Sequence, residues 1–268
     1  MYLCARNKIK QEDMIKYIEE FHKLKIFHKK DVVAFTDSEN AAKELLRRYK
    51  QQGLISQVRR DLYVATDLAT KVSSASKYEI GSQINSSSYL SYHAALEYHG
   101  LAHQVFYEIQ VSSKERFNNF EYDGISYIYS ESKLDAGVIT PPADTLIRVT
   151  DLERTVLDCI NRIDRSGGLE EMIECFALIT YLNEGKLQDY LKLFNKQALY
   201  QKTGFLLSHF QREMKLSDVF FNFCKSKIGK SIRYLTDRQE SNIYFNEWQL
   251  YAPENILSFL EQGGNVNV

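Results

Sequence analysis

The sequence predicts an α+β fold in two unequal parts: a small N-terminal unit of helices closed by a hairpin, then a larger unit with a small sheet and a helical C-terminal part. Three observations predict it. Apolar spacing is helical up to Gly53 and turns strand-like immediately after it. Three short strand-like runs follow one another between residues 106 and 129, whereas helical spacing dominates from Asp151 onward. Charge divides close to the first change of period. Residues 1–66 hold 14 Lys and Arg against 9 Asp and Glu, a balance of +5, and the other 202 residues hold 20 against 26, a balance of −6. The net charge of −1 thus hides a basic head on an acidic body. That distribution suits a small polyanion-binding module carried by a larger effector domain.

Residues 1–70 make the first predicted domain. Residues 11–24 read as its first helix, with Met14, Ile15, Tyr17, Ile18 and Phe21 on the apolar side. Ile26-Phe27 suits a short edge strand paired with the later hairpin. Residues 29–35 suit a second helix, placing Val32, Val33 and Phe35 beneath a third. The third helix starts at Thr36, which has capping-box spacing to Glu39, and Gly53 stops it, because glycine accepts the left-handed conformation in which helices often end. Ala41, Ala42, Leu45, Leu46 and Tyr49 share one side of this helix, and Asn40, Lys43, Glu44, Arg47 and Gln51 share the other. Residues 54–58 and 62–65 then form two strands separated by Arg59-Arg60-Asp61. Three helices and a hairpin in about 60 residues have the size and order of one winged helix-turn-helix module.

On such a module the outer face of the third helix reads double-stranded DNA. Asn40 can pair bidentately with adenine and Arg47 with guanine. Lys43, Arg48 and Lys50 stand where phosphates would pass, and Arg59 and Arg60 at the hairpin tip suit backbone or minor-groove contact. From the residue pattern alone, a solvated charged face on an ordinary helical domain accounts for the helix equally well.

Residues 71–88 hold the serine clusters Ser73-Ser74-Ala75-Ser76 and Ser86-Ser87-Ser88 and are expected to be a linker region, with a helical segment available at 77–84. Residues 89–268 form the second domain. Its predicted elements are a helix over 89–98 ended by Gly100, and strands over 106–112, 118–122 and 125–129, the last two joined by Asp123-Gly124. A further strand over 146–149 follows the turn at Pro141-Pro142. Helices over 151–162, 168–182, 187–194, 199–213 and 216–224 complete the chain.

Several function classes are disfavoured. No apolar run reaches transmembrane length and the N-terminus has no signal-peptide core, so a cytoplasmic protein without a membrane partner is expected. Cys4, Cys159, Cys175 and Cys224 are scattered without disulfide-framework or zinc-site spacing, as expected of free thiols in a reducing compartment. His93, His99 and His103 invite a metal reading. His93 and His99 are six residues apart, about 600° of helical rotation, and no Cys or paired carboxylate stands beside them in sequence. Structural histidines, with no metal and no cofactor, are expected.

No catalytic set emerges either, and the chain is not expected to be an enzyme. Glu131-Ser132-Lys133 matches half of a metal-dependent nuclease motif, but Asp123 lies at the hairpin turn and Glu131 at the far end of the following strand, eight residues away at roughly 3.3 Å each. Ile80-Gly81-Ser82 resembles the start of a nucleotidyltransferase motif and lacks the paired acidic residues that would hold its metals. Glu153, Arg154 and Asp158 fit helix capping by Asp151 and an i, i+4 ion pair. The competing class is a nuclease or transferase within residues 89–268.

Five stretches, in order, resemble the AbiEi family of antitoxins and transcriptional regulators from abortive-infection, type IV toxin–antitoxin loci. They are Gln52-Gly53-Leu54-Ile55 with Arg59-Arg60-Asp61-Leu62-Tyr63-Val64; Tyr89-Leu90-Ser91-Tyr92-His93-Ala94-Ala95-Leu96-Glu97-Tyr98-His99-Gly100-Leu101; Val149-Thr150-Asp151-Leu152-Glu153-Arg154-Thr155-Val156-Leu157-Asp158; Gly204-Phe205-Leu206-Leu207; and Asn246-Glu247-Trp248. Asp61 departs from the pattern, standing where glycine is expected at the wing turn. The resemblance implies a DNA-binding N-terminal domain that represses its own operon, and a C-terminal domain opposing a nucleotidyltransferase-like toxin, by contact or otherwise. A free-standing winged-helix regulator is the alternative.

Overall fold

A computed structural model describes residues 17–237 and 241–263, in which three separate sheets are set among helices in a mixed α+β arrangement. The first helix, α1, occupies residues 17–24; the predicted start at Gln11, and Met14 and Ile15, lie outside the described residues. It is followed by β1 (Ile26–His28), α2 (Lys29–Thr36), α3 (Glu39–Gln51), β2 (Ile55–Arg59) and β3 (Leu62–Ala65). The strands pair antiparallel in the order β1-β3-β2, with Ile26 opposite Val64.

Gly53, at φ +65°, closes α3 as expected. Its N–H donates to the Lys50 carbonyl at 3.1 Å and that of Leu54 to the Tyr49 carbonyl at 3.0 Å, the paired bonds of a Schellman ending. The start of α3 is not at Thr36. That residue ends α2, and its hydroxyl donates to the Val32 carbonyl at 3.0 Å. A hydroxyl committed to the preceding turn cannot cap the next helix. Asp37 turns the chain at φ +52°, and Ser38 is the N-cap, accepting from the Ala41 N–H at 3.4 Å. Ala42, Leu45, Leu46 and Tyr49 are buried, but Ala41 is exposed. Phe35 also misses the core, because Phe21 and Phe27 stack at 4.4 Å and Tyr49 meets Phe21 edge-on at 5.6 Å. That aromatic trio occupies the space beneath α3 and leaves Phe35 at its rim.

The serine-rich stretch expected as a linker is folded. Its helix α4 (Lys77–Ser82) begins in a capping box of Ser76 and Glu79. A Cβ at Gly81 would lie 3.0 Å from Leu90 and 3.2 Å from Ile109 and Val111. Ser74 donates to the Ala65 carbonyl at 2.8 Å, and Ser82 to the Arg148 carbonyl at 3.1 Å. Serine favours turns and caps for the same reason that it favours linkers, a short hydroxyl that competes for backbone groups. Here packing selects the former.

The large sheet contains β4 (Tyr89–Leu90), β5 (Glu108–Ser113), β6 (Phe120–Tyr122), β7 (Ile125–Glu131), β8 (Val138–Ile139) and β9 (Val149–Thr150), in the order β6-β7-β5-β4-β9-β8. The β5–β7 and β4–β9 pairs are parallel and the others antiparallel. Asp123 and Gly124, at φ +52° and +73°, make the turn between β6 and β7, as the dipeptide predicts. Tyr89 and Leu90 are strand, not helix, and α5 (Tyr92–Tyr98) starts only beyond Ser91. Two residues are too few for a period to reveal a strand.

Helices α6 (Leu152–Asn161), α7 (Leu169–Ala177), α8 (Glu184–Phe194), α9 (Gln197–Ser208) and α10 (Asp218–Ser226) form the C-terminal part. The expected ends at 182 and 213 fall instead at Ala177 and Ser208. Asp151 caps α6, accepting from the Arg154 N–H at 3.0 Å, and Arg154 Nε reaches both Asp158 oxygens at 3.0 Å. Burial pushes the Asp158 carboxyl up to about 6, against the pull of Arg154. A third sheet, which periodicity does not announce, comprises β10 (Arg233–Tyr234), β11 (Asn242–Phe245) and β12 (Leu250–Pro253), with α11 (Ile256–Gly263) after it.

The small sheet packs on the larger unit. Ile26, Val58, Leu62 and Val64 are buried in one cluster with Ala75, Ile80, Ile84, Ile109 and Val111. Lys25 pairs with Glu79 at 3.1 Å and His28 Nε2 meets the Gln83 carbonyl at 3.0 Å at the margin of this contact. A cut at residue 70 therefore passes through a shared core.

Candidate nucleic-acid interface

An amphipathic helix buries one stripe and presents the opposite one. On α3 the presented stripe holds Asn40, Lys43, Glu44, Arg47 and Gln51, all exposed. The β2–β3 hairpin stands beside it, and the groove between them has a volume of about 430 Å³. Lys29, Lys43, Arg47, Lys50 and Arg60 line it together with Leu46, Tyr63 and a single acid, Asp61. Lys50 Nζ donates to Gln57 Oε1 at 2.9 Å, tying helix to hairpin. Arg60 is 93% exposed, with Asp61 at 3.5 Å as its ion-pair partner.

Local carboxylates hold these cations in place. Glu39 meets Lys29 at 2.7 Å and Lys43 at 3.9 Å, and Glu44 accepts from Arg47 at 2.6 Å and 3.0 Å. The Arg47 hydrogen bond keeps the Glu44 carboxyl below the usual carboxylate range. Such exposed pairs are weak and screened by salt, so phosphates or base edges can replace them. The turn itself fits its residue: Asp61 sits at φ +63°, the left-handed region for which glycine was expected and which Asp tolerates.

Three of the seven sequence-selected residues, Asn40, Arg48 and Arg59, do not line this groove, although Asn40 lies on the exposed stripe of α3. Arg48 is half-buried, its guanidinium 5.5 Å from the Tyr49 ring centroid. Arg59 lies over Phe117 at 5.5 Å and Phe120 at 5.1 Å, and burial lowers its pKa. The cause is a bulge in β2, where the register shifts between Gln57 and Arg59. A bulge re-aims the side chains that follow it. Val58 enters the shared core and Arg59 turns to the large sheet.

Sequence reasoning passed over Lys29 and Tyr63. The period-2 alternation of β3 signals an outward Tyr63; nothing local signals Lys29. A second groove, of about 630 Å³, runs between the small unit and residues 84–86 and 115–117, with His28, Lys30, Arg59 and Arg116 among its lining residues. Lys29, Arg60 and Asp61 line both grooves, so the two meet. Arg116, exposed, is a basic contribution from the larger unit.

The other sequence candidates do not assemble into a reactive centre. Glu131 ends β7 and Asp123 lies in the turn before it. Gly81 and Ser82 are buried packing residues. His99 Nε2 meets the Thr150 carbonyl at 2.8 Å, away from the other two histidines, which both approach Glu171. No helix among the described residues is long and apolar enough to cross a membrane.

No family model matches the sequence, and no curated protein matches it. The fold is similar to that in the crystal structure of the RV2827C protein from Mycobacterium tuberculosis, with a TM-score of 0.62 and 13% identity over 93% of this chain and 94% of that one.

Proposed function

We propose that the N-terminal unit is a winged helix-turn-helix reading DNA, with α3 as recognition helix and β2–β3 as wing, and that the chain is a transcriptional autorepressor. The observation that carries this reading is the convergence of Lys29, Lys43, Arg47, Lys50 and Arg60 on one exposed groove between helix and hairpin. Five cations beside a projecting helix suit a phosphate backbone on either side of a read groove. Asn40 and Arg47, at the exposed stripe, are the base readers, and Arg116 extends the contact from the larger unit.

The antitoxin role rests on the sequence resemblance to the AbiEi family. In this reading the acidic larger unit opposes a nucleotidyltransferase-like toxin, and no chemistry of its own is required. The test uses the full chain. It should bind a fragment of its own promoter more tightly than a scrambled one, and Lys43→Ala, Lys50→Ala and Arg60→Ala together should abolish that preference. The same triple variant should still protect cells from the cognate toxin expressed from a separate promoter. Equal affinity for both fragments would sink the repressor reading, and loss of protection in the folded variant would sink the two-function one.

A further inference from the structure

His93 on α5 and Glu171 and Cys175 on α7 are far apart in sequence, yet their side chains meet. Glu171 and Cys175 are one helical turn apart and share a face. Glu171 Oε1 lies 2.9 Å from His93 Nε2 and 3.2 Å from Cys175 Sγ, and accepts from the Gln104 and His103 N–H groups at 2.9 and 3.2 Å. All three side chains are buried, and their ligand-type atoms lie within 4.8 Å of one another. Glu171 Oε2 is buried with no hydrogen-bond partner. His103 Nδ1 stands 3.6 Å from it, on a ring at the surface.

We propose that this cluster is a zinc-class divalent metal site, with His93 Nε2, the Glu171 carboxylate and the Cys175 thiolate as ligands and His103 Nδ1 closing the fourth position. The donor set decides the metal class. Imidazole, carboxylate and thiolate together suit zinc, whereas calcium and magnesium take oxygen ligands. Spacing agrees. Zinc–ligand lengths of about 2.0–2.3 Å at tetrahedral angles separate the ligands by roughly 3.3–3.6 Å. The two contacts at Glu171 Oε1 need to open by only a few tenths of an ångström, and the three ligand atoms, within 4.8 Å of one another, draw together around the ion. His103 Nδ1, 3.6 Å from Oε2 and too far for a hydrogen bond, swings in from the surface to complete the set.

The surroundings hold the ligands in place. Phe106 packs on the His93 ring at 4.3 Å, and Gly167 approaches so closely that a Cβ there would lie 2.8 Å from Glu171 Cγ. The His93 Nδ1 has no hydrogen-bond partner, so beside the Phe106 contact the ring is oriented by Nε2. Four protein ligands make a closed, structural site, which fastens α5, the segment around His103 and α7 to one another. Binding displaces the thiol proton, so affinity falls as the pH is lowered. The site is independent of the DNA-reading proposal.

The test is metal binding by the full chain, purified without chelator or affinity histidines. We expect one equivalent of zinc per chain in competition with a chromophoric chelator. Cobalt(II) should give a thiolate-to-metal charge-transfer band in the near ultraviolet. That band should vanish in Cys175→Ser and persist in Cys224→Ala, and His103→Ala should weaken zinc binding by at least about tenfold. Zinc in hundredfold excess over its Kd should raise the melting temperature by on the order of 5 °C. Substoichiometric zinc with no cobalt band in the folded native chain would overturn the site, as would a band unchanged by Cys175→Ser. The cobalt titration of the native chain needs no variant to fold, and an unchanged affinity in His103→Ala would remove that residue from the ligand set.

Discussion

The Arg59 guanidinium lies 5.1 Å over the Phe120 ring, joining the hairpin of the small sheet to an edge strand of the large one. Arg59 and Arg60 are neighbours of identical type, yet only Arg60 lines the groove beside α3. Their substitutions should therefore separate. Arg59→Ala should lower stability by ~0.5–2 kcal/mol, the worth of a partly desolvated cation–aromatic contact, with little change in the salt dependence of DNA binding. Arg60→Ala should leave the melting temperature unchanged and reduce the salt slope by about 1. Denaturant melts and binding isotherms at several salt concentrations distinguish them, and identical behaviour of the two variants would refute the assignment.

Base reading should show as lost discrimination. Asn40→Ala or Arg47→Ala should cost on the order of 1–3 kcal/mol on the specific site and almost nothing on random DNA. Competition with single-base operator variants checks this. If Arg47→Ala weakens both kinds of DNA equally, Arg47 contacts only the backbone.

Separation of the small unit should fail. Residues 1–70 expressed alone would expose Ile26, Val58, Leu62 and Val64, now buried against the larger unit. That fragment should aggregate or be digested by protease far faster than the full chain, since exposed apolar faces of this kind do not stay solvated. A monomeric, protease-resistant fragment would show the small core to be self-sufficient.

Gly204 lies beneath Trp248, and a Cβ on it would come within 2.0 Å of the indole ring. In an exposed helix, Ala for Gly is a gain; here overpacking should make Gly204→Ala a loss of ~1–3 kcal/mol. Trp248→Leu removes the ring from above Gly204, so the double variant should lose less than the two single losses together. Additive melts would exclude the contact.

Asp158 should give a pH-dependent stability. Its carboxyl is pushed up to about 6 by burial, from an ordinary value of 3.8. Between those values the folded chain keeps a proton that the unfolded chain has released. The contribution of this group is therefore fully present below the unfolded value and is lost as the pH rises through about 6. Asp158→Asn should remove that falling limb, shifting relative stability toward the variant by up to ~3 kcal/mol across the window. Urea melts at pH 4, 5 and 7 test it, and parallel pH profiles for the two chains would contradict it.

What the sequence determined by itself was local. The period of α3, its stop at Gly53, the hairpin turn at Asp123-Gly124 and the Arg154–Asp158 pair depend on residues within a few positions of one another, so short-range sterics and spacing reveal them. The basic character of the N-terminal third was equally legible, because charge is a property of composition. Only the tertiary structure decided which of two adjacent arginines faces the groove, since a bulge in β2 and the rings of Phe117 and Phe120 settle it. It also decided that Tyr89-Leu90 is a strand, through partners at Val111, Ser112 and Val149. The serine-rich stretch was folded by the same kind of contact, with the Ser74 and Ser82 hydroxyls donating to the Ala65 and Arg148 carbonyls. His93, Glu171 and Cys175 could not be grouped from spacing, because α5 and α7 meet only when their apolar faces are buried in one core. Local sequence fixes how each segment prefers to fold; which side chains then meet depends on burying surfaces that are distant in the chain.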